Sequence, residues 1–292
     1  MTFEVSQNDT LLPFLLSRMN GKSRTSIKSM LAHGSITVNG CHVSRHDTQL
    51  YPGDTVAITR ASLGRQLRHP LLRIVYEDND LIVVDKHNGL LSVGTDKERT
   101  KTAFHILSNH IKRVNEHARL FVIHRLDRET SGLMLYAKNQ NVQEILQRNW
   151  KNMILDRRYV ALVEGQMPAR KGTLKTFLSE DRNLKVWASL NDNGNGKAAT
   201  THYKLLAHND KYSLIELSLD TGRKNQIRAQ LEWLGTPVAG DRKYGAKTNP
   251  ANRVCLHAYR LAFRHPVTGK ELQFSTGIPK VFAQNAKNSG PQ

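Results

Sequence analysis

Residues 121–138 read FVIHRLDRETSGLMLYAK and hold a dense group of side chains able to do chemistry. One carboxylate, Asp127, stands between the guanidinium groups of Arg125 and Arg128, with Glu129, Thr130, Ser131 and Gly132 behind it. A carboxylate fixed beside cations can act as a nucleophile or take up a proton. The same residue types also make solvated ion pairs on a connecting turn, and from types alone that outcome is the commoner one.

Such side chains need elements to hold them. An apolar run at 121–123 leads in and another at 133–137 leads out, so two strand-like segments flank a charged stretch that ends in Gly. Tyr159 opens YVALVEG, a strand closed by Gly165, where an aromatic ring more often belongs to the core. Arg228 lies in a helix expected over 224–234 and stopped by Gly235. Ile227, Leu231 and Leu234 recur there at i, i+4 and i+7, so the guanidinium is expected to emerge beside a buried stripe.

The 43 Lys and Arg against 25 Asp and Glu give a formal net charge of +18, and the isoelectric point is near 10.1. A surplus of that size points to an anionic partner, because each phosphate neutralised releases condensed counterions. No apolar run approaches the ~20 residues needed to cross a bilayer. The opening MTFEVSQND lacks the charged-then-apolar pattern of a signal peptide. Cys41 and Cys255, far apart, fit reduced thiols in a cytoplasm. No Cys/His cluster has zinc-ligand spacing. With 292 residues and 39% hydrophobic content, the chain can bury one large domain, or a large and a small one.

Residues 10–60 read as the small domain. A short apolar helix at 11–19 precedes a second at 23–33, capped by Ser23 and stopped by Gly34. Short strands follow, joined by the turns Asn39-Gly40 and Tyr51-Pro52-Gly53-Asp54. Arg18, Lys22, Arg24 and Lys28 stud the helices. Residues 61–70 lack apolar periodicity and read as a linker. The large domain runs over 71–282, with strands at 71–77 and 81–85, a helix at 102–112 and another at 139–150. Successive strands fill 172–219 around a connection at 191–196 that its composition marks as mobile, and a last hairpin turns at Gly269. The chain becomes polar beyond Pro279, where fraying is expected, and 283–292 reads as a tail.

In this order the segments resemble the RluA family of RNA pseudouridine synthases. HRLDRETSG followed by LMLYAK is similar to that family's signature: HRLD, two variable residues, TSG and an apolar strand. YVALVEG resembles its second motif, QIR with later GD and YG its third, and LHAYRLAF its last hairpin. SRTSIKSMLAHGSITVNG with YPGDTVAI resembles the S4-type RNA-binding domain. The resemblance implies a mixed α+β fold: a mostly antiparallel bent-sheet catalytic domain with helices, and a small N-terminal S4-like α/β domain.

The resemblance also implies roles. Asp127 would be the catalytic nucleophile, attacking ribose C1′ or assisting glycal formation, and Arg228 its partner. Tyr159 would cover the base and take a proton. His124, Arg125, Leu126 and Ile227 would contact the substrate, with Arg125 reaching a phosphate or filling the place of a flipped uridine. Arg18, Arg24 and Lys28 would face an RNA backbone. RNA would be the partner, ribosomal rather than transfer RNA, with no protein partner, membrane, metal or other cofactor implied. This chain departs from the pattern twice. Lys86-His87-Asn88-Gly89 lacks the proline of the family's Lys-Pro-x-Gly, and Asn225 replaces a His, keeping hydrogen bonds but losing a titratable ring. A non-catalytic basic RNA-binding protein of ribosome assembly would explain the charge equally well. The presence of Asp127, Tyr159 and Arg228 favours the enzyme.

Overall fold

The computed structural model describes residues 1–19, 21–32, 35–43, 45–58, 67–113, 115–192 and 194–287. Gly34, most of the expected linker and the end of the expected tail lie outside the described residues. The chain divides into two compact units: Met1–Leu67 with His110–His117, and Arg68–Asn109 with Ala118–Gln292.

In the first unit the helices Leu11–Arg18 and Arg24–Ala32 bury Leu11, Phe14, Leu15, Ile27 and Leu31 around Ile36, Leu50 and Val56. Full burial of each such side chain contributes roughly 1.5–3 kcal/mol. The Ser23 hydroxyl accepts from Ser26 N at 3.1 Å, the cap expected for the second helix. Asn39 and Gly40 both have positive φ, as a two-residue hairpin turn requires. The strand Thr2–Glu4 joins the edge of a four-stranded sheet beside Thr55–Ile58. This strand precedes residue 10, and three residues with one inward side chain left no period to read in the sequence.

The second unit is built on an eleven-stranded sheet. Among the described residues every ladder in it is antiparallel except one, where Ser131–Ala137 runs parallel to Leu256–Arg264 through Ser131↔His257 and Gly132↔Ala258. Leu256–Arg264 pairs along its other edge with Ile154–Glu164, and Tyr159 lies opposite Ala258 just after a register shift. Such irregularities re-aim side chains on the bulged strand. Val142 and Leu146 of the helix Gln140–Arg148 pack on Leu81, Val83, Leu133, Leu135 and Phe263. Asn139 caps that helix by accepting from Val142 N at 2.9 Å. At the C-terminal end Lys280–Asn285 is a helix with Phe282 fully buried, so the polar composition beyond Pro279 misread a docked segment as a frayed one. At 191–196, Asp192 accepts from Gly194 N and Gly196 N, which organises the turn locally.

The parallel step needs two special residues. Gly132 has φ +117°, and a Cβ there would lie 2.2 Å from the carbonyl oxygen of Ala258. Only glycine lets the two strands meet so closely. Beside it the Ser131 hydroxyl accepts from Arg253 Nη2 at 2.6 Å and meets His257 Nδ1, also at 2.6 Å. His257 Nε2 faces Thr276 Oγ1 at 2.8 Å, and that hydroxyl donates to Tyr259 O at 3.4 Å. Burial pushes this imidazole down to about 4, with the Arg253 charge adding to the effect and Asp85 opposing it.

Gly132→Ala should lower stability by more than about 3 kcal/mol and the melting temperature by about 10 °C, since strain and backbone overlap add. Gly165→Ala, with φ +76° but nothing within 4 Å of the new Cβ, should cost only ~1 kcal/mol. Equal losses in thermal melts would show that overlap is not the constraint. For His257 the unfolded chain binds the proton first, so stability is full above about pH 6.5 and is lost as pH falls toward 4, by about 3 kcal/mol for this group. Urea midpoints measured from pH 7 to 4.5 should fall in the wild type and fall less steeply in His257→Gln.

Candidate active site

A cavity of about 360 Å³ in the second unit is lined by His124, Arg125, Leu126, Asp127, Tyr159, Ile227 and Arg228. These are the seven catalytic and substrate-contacting residues expected from sequence, and they reach the cavity from three elements. The segment between Phe121–Val122 and Ser131–Ala137 carries the first four, Ile154–Glu164 carries Tyr159, and the helix Gln226–Trp233 carries the last two. Arg18, Arg24 and Lys28 belong to the first unit and are exposed there.

The loop holding Asp127 is fixed from behind by Ser92 and Lys86, to which the sequence reading gave no such role. The Ser92 hydroxyl donates to Leu126 O at 2.6 Å and accepts from Leu126 N at 3.1 Å. Thr130 N returns to Asp127 O at 3.1 Å, closing the turn. Lys86 is fully buried and donates to the carbonyls of Leu90, His87 and Arg128 at 2.9, 3.1 and 3.3 Å. Burial pulls its ammonium pKa down to about 7 against the opposing charges of Asp127 and Glu129. Position 87, where the family has proline, uses its backbone: His87 N donates to Leu71 O at 2.9 Å, a bond proline could not make. Gly89 still forms the turn, with φ +85° and N donating to Arg128 O at 2.8 Å.

Arg228 is buried, not emergent. Its Nε and Nη2 bind the two oxygens of Asp241 at 2.6 and 2.8 Å as a fork, and Nη1 donates to Asn225 Oδ1 at 3.1 Å. The same Nη1 lies 3.6 Å from Asp127 Oδ2. The tight partner of Arg228 is therefore Asp241, which orients it, while Asp127 keeps a looser, charge-facing contact. The ring of Tyr244 sits 4.7 Å from the guanidinium carbon. Burial works against the Arg228 charge, but the hydrogen bonds and charge of Asp241, with Asp127 behind them, outweigh it and raise its pKa. Gly240, at φ +82°, brings Asp241 in: a Cβ there would lie 2.1 Å from Arg253 O.

The helix starts at Gln226, two residues later than expected, because Asn225 takes a left-handed conformation at φ +51°. Asn tolerates that region, and its side chain faces Arg228 rather than capping the helix. Gln226 through Leu231 are all buried, so the apolar stripe was only part of the buried surface. Gln230 Nε2 binds Leu174 O, Thr176 Oγ1 and Ala199 O, and Gln226 Nε2 binds Thr200 O and Thr201 Oγ1. Amides can be buried this way only when fully partnered.

His124 accepts from Leu135 N at 3.1 Å through Nε2 and lies against Trp150, with ring centroids 5.4 Å apart. Burial, aided by the Arg157 charge, pushes its pKa down to about 3. A neutral ring bound in this way to the backbone positions the loop. Tyr159 is 5% exposed and presents its ring to the cavity.

Cations on several sides of one accessible carboxylate suit an enzyme that handles an anionic substrate. Comparison with known proteins makes that class specific. The sequence profile of the family described as RNA pseudouridylate synthase matches residues 80–233. An uncharacterized RNA pseudouridine synthase of Bacillus subtilis (strain 168) is 34% identical, over 98% of this chain and 95% of its own length. A ribosomal large subunit pseudouridine synthase D of Vibrio cholerae is 32% identical over 88% of this chain and 84% of its own. In fold, human RNA pseudouridylate synthase domain containing 4 aligns at a TM-score of 0.58 and 23% identity, covering 72% of this chain and 90% of that one. The chain belongs to the RNA pseudouridine synthase family, a family of isomerases.

Asp241→Leu should cost about 3 kcal/mol in urea denaturation, because it strands a buried guanidinium. Adding Arg228→Met should restore part of that loss. A double variant no more stable than the single one would contradict the fork as the source of the cost.

Proposed function

We propose that this protein converts specific uridines of structured RNA to pseudouridine, with Asp127 as the nucleophile and the target uridine flipped into the cavity. The observation that carries the reading is the accessible Asp127 carboxylate, 22% exposed and faced at 3.6 Å by a guanidinium that Asp241 holds in place. In the reaction the C1′–N1 bond breaks and a C1′–C5 bond forms; the C5 hydrogen leaves as a proton and N1 gains one, so nothing is oxidised or reduced. Asp127 attacks C1′ or assists glycal formation. On this reading Tyr159, which lines the same cavity, covers the detached uracil and takes the C5 proton. Flipping is required because a stacked uridine hides its glycosidic bond.

Ribosomal RNA is the favoured substrate. Relatives in Vibrio cholerae and Neisseria meningitidis are named ribosomal large subunit pseudouridine synthase D, and each aligns with 88% of this chain. On this reading the unit beginning at Met1 acts as an S4-like RNA-binding module, presenting Arg18, Arg24 and Lys28 to the backbone. The catalytic domain spans 71–282, and the protein works in the cytoplasm.

The test uses RNA tritiated at uridine C5, with a chelator and no added cofactor. Wild-type protein should release tritium. Asp127→Asn should lose release by more than about 10³-fold while binding RNA within about threefold of wild type. Substantial release by the variant would remove Asp127 as nucleophile. Tight RNA binding without release from any natural RNA would favour the non-catalytic RNA-binding protein.

A further inference from the structure

Arg157 lies on Ile154–Glu164 two residues before Tyr159, so both side chains share a face of the strand. Its guanidinium carbon is 5.5 Å from the Trp150 ring centroid and 5.9 Å from that of Tyr159. Among the described residues its guanidinium makes no hydrogen bond and no ion pair. Its neighbours are fully engaged: Asp156 accepts from Arg158 and Arg260, each through Nε at 2.9 Å, and Arg158 also binds Glu216 at 2.6 Å. The adjacent carboxylate is thus used up on the opposite face, leaving Arg157 aimed by two aromatic rings with its five donors unspent.

Its position is equally specific. Arg157 lines the cavity that holds Asp127 and also a second cavity of about 470 Å³, and Gln147, Trp150 and Gly222 are common to both. The second cavity adds Arg148, Lys151 and Asn152, with one carboxylate, Asp220, which faces His202 at 3.0 Å. Gly222 lies beside the guanidinium: a Cβ there would stand 3.6 Å from Arg157 Nη2, an ordinary van der Waals contact.

We propose that Arg157, shelved on Trp150, seats a phosphodiester of the RNA strand next to the flipped uridine, and that the second cavity takes the neighbouring nucleotide. The inference rests on the RNA isomerase reading of the Asp127 cavity. A planar fork of donors held at a junction matches a phosphate bidentately. Unsatisfied donors beside an anionic polymer are best explained by a partner the polymer brings.

The experiment measures tritium release and equilibrium binding on in vitro transcribed ribosomal RNA, tritiated at uridine C5, across a salt series. Arg157→Ala should raise KM and Kd by about 30-fold, leave kcat within about threefold, and reduce the slope of log K against log salt by about one. Arg157→Lys should recover the salt slope but only part of the affinity, because a point charge replaces a fork. A fall in kcat at unchanged KM, or an unchanged salt slope in Arg157→Ala, would overturn the phosphate seat. Absence of tritium release by wild type, together with the altered slope in the variant, would sink the isomerase reading and leave the phosphate contact standing.

Discussion

The guanidinium of Arg228, 7% exposed, has two carboxylates within reach and satisfies only one of them fully. Asp241 takes its fork, Asn225 takes part of the remaining edge, and the Tyr244 ring backs its plane. What is left is one Nη1 edge pointing at Asp127. A buried charge pair contributes little net stability but fixes geometry, because removing either partner strands the other. The orientation of Arg228 therefore depends on Asp241, which is not among the residues lining the cavity.

Two close backbone approaches make that geometry possible. Gly132 lets the strand that follows the Asp127 loop run against Ala258, and Gly240 lets the chain carry Asp241 past Arg253. The first creates the parallel step in an otherwise antiparallel sheet and places the loop beside the strand opposite Tyr159. The second delivers the anchor for Arg228. From behind, Lys86 and Ser92 tie the loop to the preceding strand and turn through backbone carbonyls, so the position of Asp127 is set by main-chain contacts.

That Asp127, Tyr159 and Arg228 would line one cavity was legible in the sequence because each lies inside a contiguous motif, and the large, mostly antiparallel sheet followed from the same motifs. The residues that hold them in place were not legible. Lys86 meets the carbonyl of Arg128 from 42 positions away, and Ser92 meets Leu126 from 34, separations that leave no local period. Asp241 stood within a quoted motif, but nothing in one dimension said that it, and not Asp127, would take the fork. The helix of Arg228 was drawn too long and too exposed, since apolar spacing cannot register buried glutamines that are fully hydrogen-bonded. At both ends of the chain, Thr2–Glu4 and Lys280–Asn285 were too short and too polar to stand out, though tertiary contacts hold them.

If Arg228 supports the proposed reaction at Asp127, Asp241 acts on it only through the orientation of Arg228. A double-mutant cycle on the single-turnover rate of tritium release tests it, with Asp241→Asn, Arg228→Lys and the pair together. Strong coupling is expected, with the double variant no slower than the slower single variant. Additive losses would mean that the two residues act independently, and would contradict that dependence.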